Sequence, residues 1–230
     1  GVIPYTYWDG PNIVSNSAVD GGNGTWDSST NNWTNSIGAI NGPWAGSTYV
    51  ATFKGTAGTV TVSGTQSMGG LTFNTNGYIL SSGTLTGAAT SNVLTADSGV
   101  TATVGSILAG SNAFDKQGSG TIILSGTNTY TGATTVSAGT LAYGADIGVP
   151  AANAITVASG ATLSVGSYNA TRTASTTVNG TLSLGTGSVT FGGTSISHTI
   201  ATLDSSGAST IAVNNGATVT INTKTGSGIT

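Results

Sequence analysis

Glycine cuts the stretch "GSGTIILSGTNTYTGATTVSAGTLAYG", Gly118 to Gly144, into short pieces. Each piece carries β-branched or apolar residues together with Thr and Ser. A helix cannot be written this way, because every interior glycine costs it roughly 0.5–1 kcal/mol. Between the glycines the period is two. Ile122 and Leu124 alternate with Thr121, Ile123 and Ser125, Leu163 and Val165 flank Ser164, and Leu182 and Leu184 flank Ser183. Such alternation marks strands with one face inward and one outward.

The pieces also recur. "SGTLT" at Ser82–Thr86 is echoed around Leu141, Leu163, Leu182 and, more weakly, Leu203 and Val219. The intervals from Leu141 stay close to one length until the last, which is shorter. A repeat of about 20 residues that cannot bury its own apolar face is the mark of a solenoid. Short strands joined by Gly, Asn and Ser turns predict an all-β fold, a right-handed parallel β-helix (solenoid) with about nine coils spaced about 4.8 Å apart. Residues 1–53 differ. They hold all four tryptophans, Trp8, Trp26, Trp33 and Trp44, and three of the four prolines. They are read as an N-terminal Trp-rich cap over the first coil, with residues 54–230 as the coils.

Composition narrows the function. Only 5 % of the 230 residues are charged, against roughly 25 % in an average domain. A net charge of −3 offers nothing to nucleic acid or an anionic membrane. The absence of cysteine excludes disulfides and thiolate metal sites. No apolar run reaches the roughly 20 residues of a membrane helix, so this segment is not expected to insert. "GVIPYTYWDG" has no basic region followed by an apolar one, so a secretion signal is expected to be absent or already removed.

"KQGSGTIILSGTNTYTGATTVSAGTL", residues 116–141, resembles the passenger-associated repeat of bacterial autotransporter proteins. Lys116, Gly118, Gly120, Leu124, Gly126, Asn128, Tyr130, Gly132, Thr134, Val136, Gly139 and Leu141 match its pattern, and Ile122 replaces the usual Leu. "YWDG" and "NGTWDSSTNNWT" look like the start of such passengers, and "GGLTFNTNGYILSSGTLT" fits the coil that follows. The resemblance implies a right-handed parallel β-helix outside the cell, at a bacterial surface or secreted, in a family mostly of adhesins or stalks. The family's C-terminal membrane barrel is missing from this sequence, which fits a mature or excised passenger, or a repeat protein secreted another way.

No catalytic residue, cofactor or metal site is assigned. His198, the lone histidine, shares the strand parity of Ile196 and Ile200 and reads as structural; a grouping with Asp204 and a serine carries little weight among so many serines. The seven Asp are scattered. Asp97 and Asp115, about one coil apart, either stack in adjacent coils or occupy equivalent turns, the second being favoured. Arg172 is placed in a loop. "GGNGTWD" departs from the calcium nonapeptide, since Trp26 holds the Asp position. "GSGTII" has no final glycine and no helix, so it is no dinucleotide loop. Thr-x-Thr pairs such as Thr101/Thr103 and Thr218/Thr220 are unevenly spaced and expected on different faces. The structural residues singled out are Gly126, Asn128, Tyr130 and Gly139 at turns and Leu141, Leu163 and Leu182 in the core. Asn128 is assigned its turn because Asn tolerates the left-handed conformation.

The expectation is a non-enzymatic extracellular structural or adhesive module. Its partners would be its own copies, as in fibres or biofilm, or a host, cell-surface or matrix component. Alternatives are a carbohydrate-binding or carbohydrate-active β-helix, its tryptophans stacking on sugars, and an ice-binding solenoid, which needs a flat Thr array at a constant rung interval. The closing "NNGATVTINTKTGSGIT" is still coil-like, so either further coils follow or a neighbouring molecule covers that end head to tail.

Overall fold

The computed structural model describes residues 4–228 and contains strands, turns and bends but no helix among them. Positions 1–3 of the expected cap and 229–230 of the expected last coil lie outside the described residues. The chain winds as a parallel β-solenoid of about eight turns. Each turn has three sides. The first turn runs through Val50–Phe53, Thr59–Val62 and Thr65–Met68, and the second through Gly70–Phe73, Ile79–Ser81 and Thr84–Gly87. Ser91–Ala96, Thr101–Val104 and Ile107–Ala109 form the third. The fourth opens with Ala113–Gln117 and Thr121–Leu124, and the fifth with Thr134–Val136 and Thr140–Tyr143. Ile155–Val157, Thr162–Gly166 and Asn169–Arg172 make the sixth. In the seventh and eighth, Thr176–Leu184 and Ser197–Ser205 each span two sides, followed by Ser188–Phe191 and Thr210–Val213. Thr218–Gly226 supplies two sides of a ninth.

On the first two sides the strands of successive turns pair in parallel, so inward residues stack into columns. On the second side Leu141, Leu163, Leu182 and Leu203 are successive partners. The weak fifth copy is corrected by the structure. Leu203 pairs with Lys224, whereas Val219 lies on the first side, opposite His198. The short last interval of the repeat reflects that change of side. Leu182 is buried and Ser183 beside it faces outward. Leu182→Ala is therefore expected to cost about 2–5 kcal/mol, and Ser183→Ala less than about 0.5 kcal/mol, as measured by urea denaturation.

Two glycines show what the repeat demands of them. Gly139 adopts φ 63°, and a Cβ there would sit 2.4 Å from the Gly120 carbonyl oxygen of the preceding turn. Gly126 has no left-handed φ; it is glycine because a Cβ would fall 2.4 Å from the Ser106 carbonyl oxygen.

The N-terminal segment joins the stack in register. Tyr7 pairs in parallel with Thr52, and Gly24–Trp26 with Val60, Thr61 and Val62. Trp8, Trp26, Trp33 and Trp44 pack together over Phe53, which stacks on Phe73 at 5.0 Å. None of the four is more than 7 % exposed, so none offers a ring face to a sugar.

Candidate functional site

The third side is interrupted. Its sheet covers the first three turns and resumes at Asn169–Arg172, and between them residues 127–131 and 145–153 form loops. The regular ladder is broken there, although Thr129 N still donates to Leu108 O at 2.9 Å and Thr131 N to Gly110 O at 2.9 Å, and buried polar side chains satisfy groups the ladder leaves unpaired. Asn128 accepts from Leu108 N at 2.7 Å and donates to Gly148 O at 2.8 Å, bridging the turns before and after its own. Its φ is not left-handed; among the described non-glycine residues Ser17, Ser47, Ser82, Ser195 and Asn215 adopt that conformation. Cross-turn bonding, not backbone tolerance, is what Asn128 provides. Asn153 donates to Tyr130 O at 2.8 Å, and the buried Tyr130 hydroxyl meets Thr134 Oγ1 at 2.8 Å.

Arg172 belongs to the same arrangement. It sits at the end of a strand and is 1 % exposed, which overturns its placement in a loop. Strand parity turns its side chain inward, where it donates to the carbonyls of Pro150, Val149 and Asn153. Lys116, fully buried, binds the carbonyls of Gln117, Gly118 and Ala138 at 2.7, 2.8 and 3.1 Å. Burial pushes its ammonium down to about 8, with Asp115 acting in the opposite direction. These cations hold backbone in place.

The candidates for chemistry do not converge. His198 points into the core on the first side, while Asp204 faces out on the second and accepts from Thr225 Oγ1 at 2.8 Å. Asp115 lies within a strand and pairs with Val93 and Thr135, whereas Asp97 follows a strand end and accepts from Asn74 at 2.8 Å. They neither stack nor occupy equivalent turns, because Thr95 is already level with Gln117. Asp27 closes its own turn, accepting from Thr30 N at 2.7 Å and Ser29 N at 2.8 Å, and the Thr30 bond leads in holding its carboxyl below the usual range. Among the described residues no three of His, Cys, Asp and Glu are grouped as metal ligands would be. A cleft of about 410 Å³ on the cap is lined by Pro11, Ile13, Thr25, Asp27, Thr30 and Asn32 among others.

A regular surface does emerge. Thr101, Thr121, Thr140, Thr162, Thr181, Thr202 and Thr223 are successive partners on the second side. Thr135, Thr156, Thr177, Thr199 and Thr220 form a second column on the first side. All point outward and are partly or fully exposed. The Thr-x-Thr pairs do not reveal these columns. The signal was the threonine directly before each inward residue, as in Thr140–Leu141, Thr162–Leu163, Thr181–Leu182 and Thr202–Leu203.

These features define a class: a parallel β-solenoid with an aliphatic core, a polar plug across one interrupted side and threonine-lined outer faces. Residues 114–142 match the passenger-associated-transport-repeat family. Over 151 residues, 64 % of the chain, the sequence is 40 % identical to the Adhesin BmaC autotransporter of Brucella suis biovar 1 (strain 1330). That match covers 4 % of the adhesin, so the chain spans a small part of its relative's length. No solved structure matches the chain significantly. The chain thus carries a passenger-associated repeat at residues 114–142 and is similar over much of its length to an autotransporter adhesin.

Proposed function

We propose that this chain is a non-enzymatic adhesive module of a passenger displayed at a bacterial surface or secreted from it. The observation that carries the reading is where the versatile side chains go. His198, Arg172 and Lys116 are all buried, and both cations are bonded to carbonyls. The surface left over is long, repetitive and weakly charged, so little like-charge repulsion opposes contact along it. Similarity to a protein named an adhesin agrees. The partner would be another copy of the chain or a host or matrix component. Beads coated with the chain should clump with one another or attach to surfaces coated with extracellular matrix protein. Thr181→Lys with Thr202→Lys should weaken this contact while leaving circular dichroism unchanged. Coated beads that do neither would overturn the adhesive reading.

The threonine columns favour a second reading. A solenoid that binds ice needs a Thr array at a constant rung interval, and the two columns advance one residue per turn on adjoining sides. On this reading the chain shapes growing ice crystals and the same double-Lys variant does not. Ice growth unaltered by the wild-type chain would dismiss it.

A further inference from the structure

The chain has one histidine, no glutamate and no cysteine, and all seven acids are aspartate. Ordinary aspartates titrate near pH 4, and lysines and tyrosines near 10. Lys116, at about 8, stays protonated below pH 7. Histidine is the side chain whose ordinary titration falls between roughly pH 5 and 7, and His198 is the one this chain has.

Its surroundings favour the neutral ring. His198 is 1 % exposed on the first side of the eighth turn, with Phe191 4.7 Å from its ring centroid. Nε2 donates to Gly192 O at 3.3 Å, so the lone pair is on Nδ1. Nδ1 is buried and has no hydrogen-bond partner. A proton arriving there would find no acceptor. Thr176 and Val219 flank His198 along the stack. Thr176 Oγ1 accepts from Arg172 Nε at 3.5 Å, so a cation already lies just beyond the threonine that is His198's register partner. The charged groups on the neighbouring strands give no relief: Asp204 faces outward on the second side, and Lys224 is exposed there too.

We propose that His198 is an acid trigger, whose protonation opens the turns built from residues 176–226 while the cap and the first five turns stay closed. Opening can be local because each turn of a solenoid touches only its neighbours. Burial first, and then the Arg172 charge, hold His198 below its ordinary 6.5, against the pull of the Gly192 carbonyl. A base depressed in this way stabilises the closed form fully above about pH 6.5. That contribution is lost as the pH falls from there toward the depressed value. Across the window the opening equilibrium rises by up to about tenfold per pH unit.

Two measurements test this. The single histidine gives one set of ring-proton NMR signals, which should titrate below 6.5 or remain neutral until the turns open. Titration at or above that ordinary value in the closed protein would overturn the proposal. Hydrogen exchange, corrected for intrinsic rates, should show protection falling in residues 176–226 between pH 7 and 5 while residues 50–124 keep theirs. In His198→Gln the local loss should disappear. Equal acid-induced loss in wild type and variant, or loss spread evenly along the chain, would overturn the trigger. Should the variant fail to fold, the NMR titration and the location of the exchange in the wild-type protein still decide.

Discussion

Trp33→Ala is expected to lower stability by about 3–5 kcal/mol, the usual cost of removing a buried aromatic. In a chain of this size that is a fall in melting temperature of about 6–20 °C. Trp33 is fully buried and lies at the centre of the cap, 4.5 Å from Trp44, 4.9 Å from Trp26, 5.2 Å from Trp8 and 5.8 Å from Phe53 by ring centroids. Several of these contacts are edge-on, a favoured geometry between aromatic rings. A cavity of indole size among rings this large cannot close by small rotations. The loss should begin at one end, because solenoid turns are coupled to their neighbours. Hydrogen exchange should rise in residues 50–73 before residues 155–191. All four tryptophans are in the cap, so fluorescence reports its unfolding directly. Ile37→Ala, at a side chain 66 % exposed, is the control and should stay within about 0.5 kcal/mol. Equal effects at Trp33 and Ile37 would show that the tryptophans do not hold the cap.

What the sequence made legible was whatever depends on local alternation. The inward parity of Ile122, Leu124, Leu163 and Leu182 is written in a period of two, and their stacking follows from the recurrence of one unit per coil. Tryptophans confined to one end pointed to a different packing there. Less legible was anything that depends on summing corner lengths. The step between register partners is not constant: Leu163 to Leu182 is a markedly shorter stretch of chain than Leu80 to Val104. One corner of different length moves a residue to another side, as with Val219. The same uncertainty hid the threonine columns, which exist only once successive turns are in register. Arg172 was obscured for another reason. A lone cation among small polar residues reads as solvent-facing, and only the interrupted third side explains why a guanidinium is needed inside.

Asn128→Ala tests that polar plug most sharply. The substitution leaves Leu108 N and Gly148 O buried without their partner, and each orphaned group costs about 1–3 kcal/mol, so a loss of about 2–6 kcal/mol is expected. Asn128→Asp separates the two bonds. It keeps an acceptor for Leu108 N but has no donor for Gly148 O, and it buries a charge in a site 6 % exposed, so it should rescue little. Thr129→Ala, one residue on and exposed, should be nearly silent. Had Asn128 served only to ease a tight turn, Asn128→Gly would restore stability, since glycine adopts any turn conformation freely. The cross-turn bonds predict the reverse: Asn128→Gly should be at least as damaging as Asn128→Ala, because it lacks the carboxamide and is looser in the unfolded chain. Urea denaturation of the four variants beside the wild type ranks them. A stable Asn128→Gly protein would return this residue to an ordinary corner. An unstable one, with protection lost first in residues 107–110 and 145–153, would show that a single carboxamide bridges three turns where the sheet is missing.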